Sequence, residues 1–256
     1  MPLDPDLLEI LPHEVDAVLD NLPPFQGGRF LTNQPPRSIS QAVEEFTRRY
    51  PKGFLDAAYI GDRRAGERAY KWSAHELWST TLGTAEARHL VEGGRVDEVV
   101  RRALVIEGRL NLLFPTEKAA LRDGLRDSKL PLDYFKALYA LLDAADVSRD
   151  LFNAYIGALE RLPSHGKTPI NRWPILTLFP FIAEPARFMF LKPGITTDCA
   201  DRLAFDLGYE SRLNWVSYER LLVMSRLLLD RLRPLGARDF IDVQSFMWLI
   251  GQWTDG

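Results

Sequence analysis

The sequence has almost no cysteine, since Cys199 is the only one among its 256 residues. A disulfide-stapled secreted scaffold needs several paired cysteines, so this class of protein is excluded. Long apolar segments are also missing, because proline or charge interrupts each run before the roughly 18 residues of a membrane span. The first residues, MPLDPDLLEILPHEVD, lack the basic segment of a signal peptide. We therefore expect a soluble, cytoplasmic chain with no membrane partner.

Neither sign of charge dominates the composition. The chain has 32 Lys/Arg against 35 Asp/Glu, and its net charge of −3 argues against broad electrostatic affinity for DNA. Hydrophobic residues make up 46% of the chain, which is too many for a disordered protein. The charge is uneven, since residues 161–238 carry 12 Lys/Arg against 7 Asp/Glu. The C-terminal part is therefore mildly basic, and residues 1–160 are mildly acidic.

Apolar residues recur at helical spacing along most of the chain. Ser38-x-x-Gln41 is a capping-box pattern that predicts a helix start. Asp239 precedes an almost wholly apolar segment that ends at Gly251 and should be buried centrally. Further helices are predicted over residues 66–83, 95–112, 131–145, 148–162, 197–207 and 215–233. The predicted fold class is all-α, a bundle-like arrangement of about nine to eleven helices.

Two proline-rich segments interrupt the helical pattern. Residues 163–194 contain six prolines, a density that predicts a small irregular or β element near 170–192. Residues 22–37 contain four prolines and two glycines, and they are predicted to form a loop or wrapping arm. We place a domain boundary near residue 128, with helical regions at 1–127 and 128–256, although one continuous domain fits the chain length equally well.

Several short motifs lack a residue that their chemistry needs. His75-Glu76 begins a zinc-protease pattern, but Ser79 stands where the second histidine must be. Gly166-Lys167-Thr168 resembles the end of a phosphate-binding loop, yet Arg161 occupies the position of the required glycine. No Gly-x-Ser-x-Gly motif is present. The sequence therefore predicts no metal site and no cofactor.

Arg68 and His75 are the pair of residues that suggests catalysis. Residues seven positions apart lie on one face of a helix, and this spacing resembles the Arg–His pair of HEPN-type helical ribonucleases. In such a site the arginine stabilises the charged phosphate and the histidine moves a proton. The spacing also arises by chance about once in a chain of this composition. A metal-independent ribonuclease with Arg68 and His75 as catalytic residues is the alternative hypothesis.

A strip of interleaved cations and aromatic residues indicates a nucleic-acid interface. Cations can meet phosphates while rings stack on bases, a combination that suits single strands. In the competing interpretation, the aromatic residues fill the core and the cations form its solvated edge, because large side chains must pin an irregular segment. The residues of this predicted strip are Arg161, Lys167, Arg172, Trp173, Arg187 and Lys192.

Three longer phrases resemble a bacterial protein family: NLLFPTEKAALRD, RWPILTLFPFIAEPARFMFLKPGIT and NWVSYERLLVMSRLLLDRLRPLGARDFIDVQSFMWLIG. The closing phrase, RDFIDVQSFMWLIG, is also similar to a module of multidomain bacterial proteins of restriction or phage-defence type. The resemblance covers residues 105–251 and supplies no catalytic residue. It implies a nucleic-acid or defence context by association rather than by mechanism.

Three functional hypotheses follow from the sequence. The first is a non-enzymatic accessory protein of a bacterial DNA-related or defence system that binds single-stranded nucleic acid through the strip. The second is the helical ribonuclease described above. The third is a protein-interaction module that docks a protein partner through the arm at 22–37. The oligomeric state stays open.

Overall fold

A computed structural model describes residues 38–61, 66–126, 130–164 and 166–252, and within these ranges the chain forms twelve α-helices and no strand. Short 3-10 turns lie at Gly53–Leu55 and Arg233–Leu235. The all-α prediction is confirmed. The helices are α1 (Ile39–Arg49), α2 (Ala57–Ile60), α3 (Ala69–Thr81), α4 (Ala85–Glu92), α5 (Val96–Gly108), α6 (Pro115–Gly124), α7 (Leu130–Asp143), α8 (Arg149–Glu160), α9 (Trp173–Ala183), α10 (Pro193–Arg202), α11 (Trp215–Leu232) and α12 (Phe240–Gly251).

Side-chain caps fix several of these helix starts. The Ser38 hydroxyl accepts from the Gln41 amide, and the Gln41 side chain accepts in return from the Ser38 amide, so the predicted capping box is present. Ser148 caps α8 in the same way through the Leu151 amide. Asp239 accepts from the amides of Ile241 and Asp242 at the start of α12. Each cap satisfies backbone N–H groups that have no partner inside the helix.

The core is built around α9 and α12. Every residue of α9 is buried, and α12 is buried except at Trp248, which is half-buried. The backbones of α12 and α10 approach closely at Gly251, where a Cβ atom would lie 2.7 Å from the Ile195 carbonyl oxygen. A helix that is apolar on all sides can be stable only in such a central position.

The proline-rich segment 163–194 differs from its prediction in one respect. Residues 173–183 form the regular helix α9, and the irregular part is confined to residues 184–192 and the loop before α9. Pro174 lies in the first turn, where its missing N–H has no helical partner to lose, and Pro180 lies one turn before the helix ends. The prediction counted prolines without placing them: Pro174 costs the helix no hydrogen bond, and the burial of α9 on all sides offsets the bond that Pro180 removes.

The two halves of the chain share buried contacts. Tyr59 of α2 bonds to Asp242 of α12, and α3 packs against α9. The predicted boundary at 127–128 and the predicted arm at 22–37 lie outside the described residues. Within the described ranges, no helix is long and apolar enough to cross a membrane.

Candidate functional site

The aromatic residues of the predicted strip are core residues. Trp173 is 1% exposed, and its indole N–H donates to the Glu210 carbonyl oxygen at 2.8 Å. Phe179, Phe181 and Phe190 are also 1% exposed or less. A ring with both faces covered has no surface on which a base can stack. This arrangement matches the competing interpretation, in which the aromatic residues hold the segment in place.

Two cations of the strip are bound to other parts of the fold. The Arg187 guanidinium donates to the carbonyl oxygens of Leu142 and Ala144 and pairs with Glu184. The Lys192 ammonium group donates to the Leu112 carbonyl oxygen at 2.9 Å and lies 3.6 Å from the centre of the Phe114 ring. Arg187 and Lys192 therefore face different elements, and the six strip residues do not form one continuous surface.

Three strip cations remain on the surface. Arg161, Lys167 and Arg172 are exposed and make no ion pair with another described residue. Burial raises the pKa of the Tyr209 phenol, and the nearby positive charge of Arg172 offsets part of that rise. The bond from Trp173 to Glu210 ties this loop to the one that carries the exposed Arg212. We call loops 161–172 and 203–214, with these four cations, the basic loop pair.

Arg68 is buried in a charge cluster with two carboxylates. Its guanidinium nitrogens lie 2.6 Å from Asp239 Oδ2 and 2.7 Å from Asp242 Oδ1, and the residue is 6% exposed. The Tyr59 hydroxyl donates to the same Asp242 oxygen at 2.6 Å. Burial opposes the charge on Arg68, but the hydrogen bonds and charges of both aspartates outweigh it and raise the pKa of the guanidinium. This side chain therefore serves as the counter-ion of two buried acids.

His75 lies on α3, about one helical turn after Trp72. Its Nδ1 atom lies 2.8 Å from the Ile182 carbonyl oxygen, and its ring centre is 4.8 Å from that of Trp72. The Arg68 guanidinium lies 4.7 Å from the centre of the same Trp72 ring. The structure thus places the Trp72 ring in contact with both predicted catalytic side chains, and it pairs Arg68 with two protein carboxylates.

Two cavities lie beside α3. The larger, which we call the outer cavity, has a volume of about 650 Å³ and is lined by Trp72, Glu76 and Arg238, among others. The smaller, which we call the lysine cavity, has a volume of about 280 Å³. Its polar lining comes from α3, from α12 and from the segments that join helices, and it includes Glu67, Lys71, Asn111, Lys192, Gln244 and Gln252.

Lys71 is a buried cation at the lysine cavity. Its ammonium group donates to Ser245 Oγ at 2.8 Å and to Glu67 Oε2 at 3.2 Å, and the residue is 1% exposed. Burial disfavours the charged amine and lowers the pKa of Lys71 to about 8, although Glu67 opposes the shift. At neutral pH the group is therefore still a cation.

The low pKa of Lys71 predicts that stability depends on pH. An unfolded lysine titrates at 10.5, so between about pH 8 and that value the unfolded chain binds more protons than the folded one. The free energy of unfolding should therefore rise with pH across this window, by up to about 1.4 kcal/mol per pH unit, and Lys71→Met should lack the rise. Urea unfolding of both proteins between about pH 8 and about pH 9, where unfolded tyrosines are still largely protonated, measures the difference. An identical slope in both proteins would contradict the assignment.

The described part of the chain contains no cluster of metal ligands and no exposed cysteine. No three His, Cys, Asp or Glu side chains there converge as metal ligands would. Cys199 is fully buried on α10, and burial raises the pKa of its thiol well above the usual range, so the reactive thiolate does not form.

The sequence reasoning did not find Asp239, Asp242 or Gln244 as partners in these clusters. Asp239 was identified as a helix cap, and the other two were counted within an apolar helix. The signal was present: three polar residues, Asp242, Gln244 and Ser245, interrupt an otherwise apolar segment that must be buried on all sides. A buried polar residue needs a partner, and that requirement marks it as structural or functional.

Comparisons of the chain with protein-family models, with curated proteins and with solved structures found no match. The functional conclusion therefore depends on the geometry of the basic loop pair and of the lysine cavity.

Proposed function

We propose that this protein is a non-enzymatic nucleic-acid-binding protein that contacts phosphates through the basic loop pair. The observation that carries the proposal is the set of three exposed cations, Arg161, Lys167 and Arg172, which have no carboxylate partner within the described residues. A phosphate oxygen can bind such cations without first displacing a protein carboxylate. Each contact releases counterions from the nucleic acid, and this release drives binding.

The location of these cations also favours a role in binding. They lie on loops, where a partner has access, while the Trp173 side chain beneath them is anchored in the core. The anchored ring limits how far the loop can move, so the cations keep their spacing when a phosphate backbone approaches. Base stacking has no part in this interface, because the aromatic residues of the strip are buried.

A catalytic role is not part of the proposal. The Arg68 guanidinium is held by Asp239 and Asp242, and His75 contacts a main-chain carbonyl oxygen. The similarity of the closing phrase RDFIDVQSFMWLIG to a module of bacterial restriction or phage-defence proteins supports an accessory role in a DNA-related system.

Charge reversal of the basic loop pair tests the proposal. In a variant with Arg161→Glu, Lys167→Glu and Arg172→Glu, we expect affinity for labelled single-stranded DNA, duplex DNA and RNA to fall at least tenfold at low salt, because three phosphate contacts become repulsive. Fluorescence anisotropy of the labelled nucleic acids, titrated with the full chain, measures the affinities.

The matched control reverses three exposed cations elsewhere, with Arg48→Glu, Arg49→Glu and Lys52→Glu. This control changes the net charge by the same amount and should keep affinity within about twofold, as expected for cations outside the interface. Equal losses in the two variants would show a nonspecific charge effect and would contradict the proposed interface. The RNA samples also reveal cleavage, which this proposal does not expect.

A further inference from the structure

The lysine cavity contains a buried hydrogen-bond acceptor without a donor. Gln244 is 6% exposed, and its Oε1 atom has no hydrogen-bond partner. Gln244 lies on α12 and lines the cavity, so a molecule inside the cavity would meet the amide of this side chain. Leaving a buried polar atom unpaired costs stability, and a leucine at this position would avoid the cost. A bound ligand that donates a hydrogen bond would explain why a glutamine is present.

The charges around the cavity are already balanced within the protein. Lys71 is 3.2 Å from Glu67, and Lys192 is 3.3 Å from Glu117. A charged group such as a phosphate would have to compete with these carboxylates for the two lysines. The interior of the cavity is therefore better suited to an uncharged, polar group.

The remaining lining combines aromatic faces with amide groups. Tyr70, Phe114 and Trp248 supply rings, of which Phe114 is 60% exposed at the cavity. Asn111 and Gln252 supply amides that can both donate and accept hydrogen bonds. Aromatic rings that stack on a base, together with amides that read its edge, are the chemistry by which proteins hold unpaired bases.

We propose that the lysine cavity binds one unpaired nucleobase, whose edge hydrogen-bonds to the side-chain amide of Gln244. The volume of about 280 Å³ is below the usual range for drug-sized ligands, which favours an occupant as small as a base with its sugar. The charged phosphate would remain outside the cavity. Two sources share this chemistry, a free mononucleotide and a base of a single strand, and binding of the second source rests on the proposed function.

The position of the cavity is compatible with both sources. Lys192 beside the cavity contacts Glu117 in the first turn of α6, while Ile170 of the basic loop pair packs at Gly124 at the end of α6. The two features therefore contact α6 at points seven residues apart, about 10 Å at 1.5 Å per residue. A short single strand can span that distance.

The test measures binding of AMP, CMP, GMP and UMP, and of a twelve-nucleotide single strand, to the full chain by isothermal titration calorimetry. We expect Gln244→Leu to weaken the best-bound nucleotide at least tenfold and to raise the melting temperature of the free protein, because the unpaired acceptor is removed. Glu76→Gln in the outer cavity is the matched control and should change neither value. Asn111→Leu, at an exposed position of the lining, gives a second loss of nucleotide affinity that does not depend on a core substitution.

The outcomes separate this inference from the proposed function. Nucleotide binding that is lost in Gln244→Leu but kept in the charge-reversed variant supports the cavity independently of the basic loop pair. If the single strand also loses affinity in Gln244→Leu, the base comes from the polymer; if it does not, the ligand is a free nucleotide. No binding of any nucleotide, together with unchanged single-strand affinity in Gln244→Leu, would overturn the inference and leave the proposed function standing.

Discussion

Asp242→Ala is expected to lower the free energy of unfolding by about 3–5 kcal/mol, among the largest effects of any single substitution in this chain. The Asp242 carboxylate is fully buried and accepts from the Tyr59 hydroxyl, from Arg68, and from the Arg238 main chain at 2.8 Å. Without it, the buried guanidinium has one counter-ion instead of two, and the tyrosine hydroxyl loses its acceptor. Chemical denaturation monitored by circular dichroism measures the change.

Two further variants identify the cause of this loss. Asp230→Ala removes an exposed carboxylate that pairs with the exposed Arg233, and it should change stability by less than about 0.5 kcal/mol. Arg68→Met combined with Asp242→Leu replaces both charges with apolar groups and should recover most of the loss, because no unpaired charge remains buried. A double variant that is less stable than Asp242→Ala would contradict this explanation.

Trp173→Ala should cost about 3–5 kcal/mol of stability, the range for removing a large buried aromatic side chain. The indole is 1% exposed, donates to Glu210 and packs in parallel with Tyr218 at a ring-centre distance of 6.4 Å. Deletion therefore opens a cavity and releases the bond between the two loops of the basic loop pair. Thermal and urea unfolding measure the loss of stability.

The conservative variant Trp173→Phe separates packing from base stacking. It keeps an aromatic ring and should lose less stability, while its affinity for nucleic acid at low temperature should stay within about threefold of the original, since no base reaches the ring. Lost affinity in a fully folded Trp173→Phe protein would instead restore the stacking role that the sequence suggested for this residue.

Much of the local structure could be predicted from the sequence. The capping box at Ser38, the cap at Asp239 and the buried last helix depend on residues within a few positions of one another, so their signals are local. Helix α9 was the exception, because proline count alone shows neither that Pro174 lies in the first turn nor that burial offsets the hydrogen bond lost at Pro180. Its burial on all sides supplies the stability that intrinsic helix propensity does not.

The sites were much harder to predict than the helices. Arg68 and Asp242 are 174 positions apart in the sequence, so no local spacing indicates that they form an ion pair. The apparent Arg68–His75 motif reflected one helix face correctly, but tertiary contacts assign the two side chains to other partners. Similarly, the exposed Arg172 and the buried Trp173 are adjacent in sequence, and only packing separates their roles. The sequence shows which chemical groups a residue carries, but the fold determines which other residues those groups contact.

The salt dependence of binding tests the central claim, that the basic loop pair contacts phosphates, most directly. The association constant for a labelled single strand should be measured against salt concentration for the original protein and for the variant with Arg161→Glu, Lys167→Glu and Arg172→Glu. Each phosphate contact contributes about 0.7 to the slope of log K against log salt for a single strand, so the variant should have a slope smaller by about 2. The control with Arg48→Glu, Arg49→Glu and Lys52→Glu should keep the original slope. An unchanged slope in the first variant would contradict the account.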